Sequence, residues 1–329
     1  MAVSRTNILL DLPARDAFLR GVMLLKNETS AVTTAAFGIP GPPTPIRVYD
    51  LFVIWHHAAM TTLTPNPDGT NPNGRNAAHR GPIFLPWHRV FLLFFEQNLQ
   101  RVLGDPNFGL PYWDWSADGT APRALQPSSR IWSKDWLGGG GNPVSTGRFA
   151  FHPADPAGFR MRLASNPSGV LRQVNLGLWR AFGAAAASLP NVAEVGLLFD
   201  PFDPSLDAAS AFPWDATCTG LSNRLEGTAP GGTNLHNQVH RWVGGAMLPQ
   251  SSPNDPVFFL HHCNVDRIWQ GWLNRHGPVY QPDTAAPGGP VGHRINDPIL
   301  SPFLPGVPGP TPAMTLDVSA AYTYDVVPP

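Results

Sequence analysis

The sequence predicts a mainly α protein with a four-helix bundle core, long loops and little sheet. Several segments place apolar side chains at helical spacing. Histidines fall into two clusters, each spread over two of these segments, so two pairs of helices would face one another around metal ions. The 38 prolines and 32 glycines among 329 residues indicate long ordered loops that connect a few helices.

The individual helices follow from apolar periodicity and from capping residues. Asp11 is a suitable N-cap for the first, in which Phe18 and Val22 lie on one face. The third, with Phe91, Leu92 and Phe95, is too continuously apolar for a surface helix and belongs to the core. We expect helices at about 11–27, 47–60, 87–103, 169–186, 234–244 and 257–275.

The segments between and after these helices are expected to be irregular. Residues 116–170 are loop-like, and the proline-rich chain beyond Gly277 should wrap the domain as extended coil and short strands. No linker divides the sequence, so a single domain over residues 1–329 is expected.

Composition excludes several classes of function. The net charge of −1 and the charged fraction of 14% do not suit a nucleic-acid binder, which usually carries a basic patch. No apolar run approaches the roughly 18 residues of a membrane span. Asp11 comes too early for a secretory signal, so we expect no signal peptide of the chain's own. Cys218 and Cys263 are expected to be free thiols, although one disulfide is an alternative.

Eight of the eleven histidines lie within residues 56–88 and 236–262. His236 and His240 are four residues apart in a predicted helix and therefore share a face, and His261 or His262 could complete a set of three. His79 and His88, with His56 or His57, could form a second set. The stretch from His236 to His240 lacks the glutamate of a zinc-protease HExxH motif. Imidazole suits copper, zinc, iron or nickel, so the pattern predicts two metals without naming them.

Several motifs extend this interpretation. They are His79-Arg-Gly-Pro-Ile-Phe-Leu-Pro-Trp-His88-Arg, Leu110-Pro-Tyr-Trp-Asp-Trp115, Asn223-Arg-Leu-Glu226-Gly, Asn234-Leu-His-Asn-Gln-Val-His-Arg-Trp-Val-Gly-Gly245 and Asp255-Pro-Val-Phe-Phe-Leu-His-His-Cys-Asn-Val-Asp266. They resemble the copper-binding signatures of the type 3 copper family, which holds tyrosinases, catechol oxidases and hemocyanins. Their order and spacing are similar to those of bacterial tyrosinases.

The resemblance implies six copper ligands. The first ion would be held by His56, His79 and His88, and the second by His236, His240 and His262. His56 is favoured over His57 because the family places this ligand directly after an aromatic residue, and His262 over His261 because it lies four residues before an aspartate. His57 and His261 would then pack beside the ligands or in the core. Asp266 would hydrogen-bond a ligand or pair with Arg267, with a structural role favoured.

The resemblance also implies an activity. Two copper ions would use O2 as co-substrate to oxidise phenols and o-diphenols to o-quinones, with ortho-hydroxylation of monophenols as a further reaction. Glu226 and Asn237 occupy the positions that handle the monophenol proton in bacterial tyrosinases; as alternatives, Glu226 caps a loop and Asn237 is a solvated helix residue. Arg241 could steer a substrate carboxylate or lie in solvent.

Other functions remain open at this stage. Some bacterial relatives are o-aminophenol oxidases that form quinone imines or nitroso products in secondary metabolism, and they keep the same ligands. A hemocyanin-like oxygen carrier is less favoured, because carriers shield their site with a lid domain, and Tyr322-Thr-Tyr324 resembles the motif that closes the catalytic domain. A two-zinc hydrolase is disfavoured because neither cluster holds a bridging carboxylate.

The resemblance has three further implications. Ala77 replaces the cysteine that forms a thioether to a copper ligand in plant and fungal members, so no such crosslink is expected. No C-terminal lid domain is expected after Tyr324. Some actinobacterial relatives depend on a small helper protein for copper delivery and export, so the chain is expected either in the cytoplasm or exported with such a partner.

Overall fold

A computed structural model describes residues 2–71, 74–199, 221–228, 234–280, 290–300 and 309–328. Helices dominate this part of the chain, as predicted. They are α1 (Leu12–Asn27), α2 (Val48–Thr61), α3 (Phe84–Leu103), α4 (Trp115–Thr120), α5 (Val192–Gly196), α6 (Leu221–Glu226), α7 (Leu235–Val243) and α8 (Val257–His276). Short 3-10 turns connect several of them.

Helix α1 begins as its sequence predicts. The Asp11 carboxylate accepts a hydrogen bond of 2.9 Å from the Ala14 N–H, which satisfies one of the free donors of the first turn. Pro13, which lacks an N–H, fits the first turn. Phe18 and Val22 are fully buried on the inner face, so capping and periodicity agree.

Helices α2, α3 and α8 form the centre of the core through aromatic side chains. Phe95 of α3 and Phe259 of α8 stack with ring centroids 3.5 Å apart. Phe52 of α2 packs edge-on against both, at 5.1 Å and 6.1 Å. This interlocked packing fixes the rotation of all three helices about their axes, and therefore fixes the faces on which their histidines lie.

The described strands form three two-stranded sheets. They are β1 (Val3–Arg5) with β6 (Tyr322–Tyr324), parallel; β2 (Thr29–Thr33) with β3 (Pro45–Arg47), antiparallel; and β4 (Met161–Ser165) with β5 (Leu171–Leu176), antiparallel. The prediction of a helical fold with little sheet is confirmed, and β6 agrees with the short strands expected in the tail.

The predicted helix at 169–186 is wrong. Its first part is strand β5, which pairs antiparallel with β4. Its second part is held by other elements: the Arg180 guanidinium forms a buried bidentate ion pair with Asp255, at 2.6 Å and 2.8 Å. The Ala181 and Gly183 N–H groups donate to carbonyls of α7 rather than to a helix of their own. Tertiary partners therefore override the helical propensity of the alanine run.

A buried ionic network joins the two ends of the described chain behind the core. The Asp266 carboxylate accepts from Arg5 at 3.2 Å and from Arg89 at 2.6 Å, and the hydroxyls of Tyr322 and Tyr324 also donate to it. The Arg5 and Arg89 guanidinium groups outweigh the desolvation of this carboxyl and lower its pKa. Asp266 therefore has a structural role, but it pairs with Arg5 and Arg89 and not with the predicted Arg267.

Two smaller predictions concern membranes and cysteines. Within the described ranges, no helix combines the length and apolar character needed to cross a bilayer. Cys263 is a buried free thiol whose sulfur lies 3.3 Å from the Leu110 carbonyl oxygen, and burial raises its pKa to about 12. Cys218 lies outside the described residues.

Candidate metal centre

Three buried histidines from two helices and a loop form a first group. His56 lies on α2, His88 on α3 and His79 on the loop between them. Their ring centroids are 5.3 Å apart for His56 and His79, and 4.9 Å for His79 and His88. One ring nitrogen of each lies within 4.8 Å of the others. The structure thus assembles the first predicted set.

Backbone carbonyls orient the two helical members of this group. The Nδ1–H of His56 donates to the Gln250 carbonyl at 2.7 Å, and the Nδ1–H of His88 donates to the Phe84 carbonyl at 2.7 Å. A carbonyl only accepts, so each ring keeps its lone pair on Nε2. Both Nε2 atoms are buried and have no hydrogen-bond partner in the described chain. They are therefore available to a metal ion.

The loop that carries His79 needs its own hydrogen bonds. The Asn76 side-chain oxygen accepts from the N–H groups of Ala78 and His79, at 3.1 Å and 2.9 Å. The next residue, Arg80, has a positive φ of 62°, which a side chain rarely adopts without support. Its N–H donates to both carboxylate oxygens of Glu226, at 2.9 Å and 3.0 Å. Asn76 and Glu226 hold the His79 loop from its two sides.

Four histidines form a second group. His236 and His240 lie one turn apart on α7, and His262 comes from α8. The Nε2 atom of His262 is 3.2 Å from that of His236 and 3.3 Å from that of His240. Three nitrogens around a tetrahedral ion would be roughly 3.4 Å apart, so this set is close to a metal-binding geometry. His261 also contributes a nitrogen within the 4.8 Å range of the group.

The orientation of the second group also comes from nearby carbonyls. The Nδ1–H of His240 donates to the Met247 carbonyl at 2.7 Å. The Nδ1–H of His236 lies 3.0 Å from the Asn237 side-chain oxygen and 3.3 Å from the Glu226 carbonyl oxygen. Glu226 therefore contacts the loop that carries His79 through its carboxylate and the second group through its backbone carbonyl.

The two groups are in direct contact. His88 of the first stacks on His262 of the second, with ring centroids 4.2 Å apart and planes 10° apart. His79 and His236 are 6.0 Å apart. Two ions held by these groups would be neighbours.

Burial sets the protonation state of the histidines. It lowers the pKa of His56 to about 3 and that of His240 to about 4, and it also lowers the pKa of His79, His88, His236 and His262. The rings are therefore neutral at pH 7, as a metal donor must be. Neutral nitrogen donors with no carboxylate or thiolate among them suit copper, zinc, iron or nickel.

The two adjacent histidine pairs separate differently. The Nε2 atom of His57 lies 2.8 Å from the Gly169 carbonyl oxygen in the β4–β5 turn, away from the first group. The structure thus brings together the predicted His56 and not His57. In the other pair both members belong to the second group, so the choice of His262 over His261 is not made by proximity.

A cavity of about 330 Å³ opens onto the histidines and includes Met60, Asn237, Arg241 and Met247 in its wall. Arg241 is exposed and lines this cavity, a position that fits both the substrate-steering role and the alternative in which it lies in solvent. Asn237 lines it from α7. Glu226 is buried, and burial raises the pKa of its carboxyl to about 8, opposed by the Arg80 N–H.

Sequence reasoning missed one residue that supports the site. His293 is fully buried, and its Nε2 lies 2.8 Å from the Thr64 hydroxyl at the start of the His79 loop. Its Nδ1 packs so close to Gly81 that a Cβ there would come within 2.9 Å. His293 lies in the proline-rich tail, outside the two clusters, so spacing gave no signal for it.

Comparison with known proteins agrees with this geometry. Residues 46–275 match the common central domain of tyrosinase. The chain is 38% identical over 278 residues to a tyrosinase of Streptomyces antibioticus, covering 84% of this chain and 89% of that protein. The chain belongs to the tyrosinase family. The resemblance inferred from its motifs is confirmed, and with it the class of copper oxidoreductase.

A second kind of enzyme and two solved structures are also similar to this chain. Grixazone synthase of Streptomyces griseus is 35% identical over 304 residues, covering 84% of this chain and 90% of that protein. A polyphenol oxidase structure from Thermothelomyces thermophila aligns with a TM-score of 0.56 at 24% identity, covering 83% of this chain and 70% of that one. An octopus hemocyanin functional unit aligns with a TM-score of 0.52 at 18% identity, covering 99% and 68%. These two structures support the fold alone.

Membership of the tyrosinase family implies a dinuclear copper centre and a small phenolic substrate. The two histidine groups fit that centre, since in each group neutral ring nitrogens converge to within 4.8 Å of one another. Family membership therefore identifies the two predicted metal ions as copper.

Proposed function

We propose that this protein is an oxidase that uses O2 to convert phenols and o-diphenols to o-quinones, and that it also hydroxylates monophenols. The contact between the two histidine groups, with His88 stacked on His262 at 4.2 Å, is the observation that carries this proposal. One copper would be held by His56, His79 and His88, and the other by His236, His240 and His262. The copper pair, when bound, supplies the two-electron oxidation of the aromatic substrate by O2.

The chain itself orients these imidazoles and excludes water from them. The carbonyls of Gln250, Phe84 and Met247 fix three of the rings. Phe258 packs against the His262 ring at 4.0 Å and against the His56 ring at 5.0 Å, and so fills space beside both groups. Donors held in this way need little rearrangement when an ion binds.

Glu226 and Asn237 are proposed to handle the proton of a monophenol. A carboxylate whose pKa is about 8 is a stronger base than an ordinary one and is better matched to a phenol. In the structure the same carboxylate also accepts a hydrogen bond from the Arg80 N–H beside His79. This hydrogen bond supports the alternative in which Glu226 only caps a loop. A substitution must therefore separate the loop-capping role from the proton-handling role.

Glu226→Gln makes this separation, because glutamine keeps an oxygen that can accept the Arg80 N–H but is not a base. We expect monophenol hydroxylation to fall about 10²-fold or more, and o-diphenol oxidation to fall much less, since no hydroxylation step is needed. Initial rates on a matched monophenol and o-diphenol would be measured, with copper content as the control. Equal losses on both substrates would reject the proton-handling role.

Arg241 is proposed to steer substrates that carry a carboxylate, because its exposed side chain lines the cavity entrance. Arg241→Gln should raise KM for a phenol with a carboxylate and leave KM for a neutral phenol nearly unchanged. Equal KM changes for both would show that Arg241 has no such role.

An o-aminophenol oxidase is the main alternative, because it would use the same two groups of histidines. An oxygen carrier is the other. Oxygen uptake by the copper-loaded protein, with product spectra recorded for a monophenol, its o-diphenol and the matching o-aminophenol, separates the three. Turnover of the monophenol and o-diphenol supports the proposal, turnover confined to the o-aminophenol supports the first alternative, and reversible oxygen binding without product supports the second.

A small helper protein that delivers copper is proposed as a partner, following the resemblance to actinobacterial relatives. The donor histidines are buried or half-buried, and the cavity that His56, His79, His236 and His240 line gives an ion a narrow route to both groups. Apoprotein mixed with copper salt alone should then load slowly. Rapid loading to two ions per chain without a partner would argue against the helper.

A further inference from the structure

His261 lies inside the second histidine group rather than beside it. Its ring stacks on that of His236, with centroids 5.0 Å apart and planes 18° apart. Its centroid is 5.0 Å from that of His240 and 4.9 Å from that of His262. A ring nitrogen of His261 lies within 4.8 Å of a nitrogen of each of these three. Four imidazoles therefore converge where three would satisfy the ion.

The ring of His261 has no hydrogen-bond partner in the described chain. The residue is fully buried, and neither Nδ1 nor Nε2 is paired. Burial lowers the pKa of the His261 imidazole, and the His236 backbone opposes that lowering. A buried neutral imidazole carries one N–H and one lone pair, and both normally find partners.

Histidines outside the two groups behave differently. His57 has the Gly169 carbonyl as a partner at 2.8 Å, and His293 has the Thr64 hydroxyl at 2.8 Å. Unpaired buried ring nitrogens otherwise occur mainly in the proposed ligands His56, His79, His88 and His262, with one more on His293. By this criterion His261 resembles these four ligands rather than His57, whereas the ring nitrogens of His236 and His240 have partners.

We propose that His261 is a fourth copper donor of the second site, which holds the ion in place of His262 or His240 when either does not bind. This proposal rests on the proposed function, because it assumes that the second group binds copper. An imidazole that replaces another keeps the donor chemistry unchanged, so the exchange needs only a rotation of side chains within the group. The first group has no fourth histidine among the described residues.

The reserve donor gives the second site two overlapping sets of three ligands. His262 is held between His88 at 4.2 Å and Phe258 at 4.0 Å, so its ring has little freedom. His261 lies 6.1 Å from Trp115 and 5.0 Å from His236, so these ring contacts are longer than those that hold His262. An ion that enters before His262 is correctly placed can be held by His236, His240 and His261.

Counting copper in ligand variants tests this proposal. His262→Gln should keep close to two ions per chain at saturating copper, with the second bound about 10- to 100-fold more weakly. The double variant with His262→Gln and His261→Phe should bind only about one copper ion per chain, because phenylalanine keeps an aromatic ring but has no ring nitrogens. His240→Gln with and without His261→Phe should give the same pattern, and this pair decides the matter if His262 variants fail to fold.

The outcomes separate the two proposals. If His262→Gln and His240→Gln each bind one ion, and adding His261→Phe changes nothing, His261 is not a donor. If the unsubstituted protein itself binds fewer than two ions, the dinuclear copper site is wrong instead. Circular dichroism and thermal unfolding of each copper-free variant confirm that the folded protein is being compared.

Discussion

The two histidine groups hold similar donors but are built differently. The second takes all of its histidines from helices α7 and α8, where the i, i+4 spacing and two adjacent positions place four rings together. The first takes His56 and His88 from helices, but His79 from a loop that Asn76 and Glu226 must hold. A donor on a packed helix is placed by the core, whereas a loop donor needs hydrogen bonds of its own. The first group should therefore be the more easily disturbed.

The largest effect is expected at the first group, because the described chain offers it no spare imidazole. His88→Ala should lower bound copper from two ions to about one per chain and reduce phenol oxidation to background, since both ions are needed for turnover. Metal analysis and oxygen uptake measure the two effects. His152→Ala is the matched control, because His152 is exposed and outside both groups. Full copper and activity in His88→Ala would remove this residue from the site.

A smaller effect is expected when the loop is loosened and the ligands are kept. Asn76→Ala removes the oxygen that accepts the N–H groups of Ala78 and His79. Copper affinity at the first site should fall about 10- to 100-fold, as is usual when a group that supports a ligand is lost, while the second site is unaffected. A two-site binding isotherm separates the ions. If both sites weaken equally, the loop is not the difference between the groups.

How far the sequence could predict these groups follows from the same difference. Histidines four residues apart in α7, and the apolar periodicity of α3 and α8, could be predicted because the helix repeat alone places them. The strand over 171–176 could not, since it depends on pairing with β4, and the segment after it depends on the ion pair between Arg180 and Asp255. The contacts of His293 with Thr64 and of Glu226 with Arg80 join residues far apart in the chain, so the sequence carries no sign of them. The proposed role of His261 could not be predicted, because it depends on where the His261 ring lies in the fold.

The pH dependence of stability tests the support beneath the first group. Burial, with a smaller contribution from Arg75, lowers the pKa of His293 to about 3, against about 6.5 in an unfolded chain. Below pH 6.5 the unfolded chain therefore binds a proton that the folded chain does not, and stability is lost as the pH falls. This residue contributes a slope of about 1.4 kcal/mol per pH unit between pH 6 and 4.

His293→Gln should remove this contribution, because a glutamine can still bond to the Thr64 hydroxyl but does not titrate. The free energy of unfolding of the copper-free proteins would be measured in urea at pH 7, 6 and 5. A shallower pH dependence in the variant is expected. Parallel curves for both proteins would show that His293 is not held neutral beneath the loop.

The smallest effect is expected at His57, which the structure places outside the first group. His57→Ala removes the hydrogen bond to the Gly169 carbonyl and should lower the free energy of unfolding by about 1 kcal/mol. Two ions per chain should still bind. Loss of one copper would make His57 a ligand in place of His56 and would overturn the assignment of the first group.

The most direct test of the dinuclear account is a copper titration of the apoprotein, followed by the rate of oxygen uptake with an o-diphenol. Activity should continue to rise until two ions are bound per chain. If the sites fill independently and with equal affinity, the rate at one ion per chain should be about a quarter of the maximum, because both sites must be occupied together. A rate that reaches its maximum at one copper per chain would show that a single group performs the oxidation, and would contradict the account.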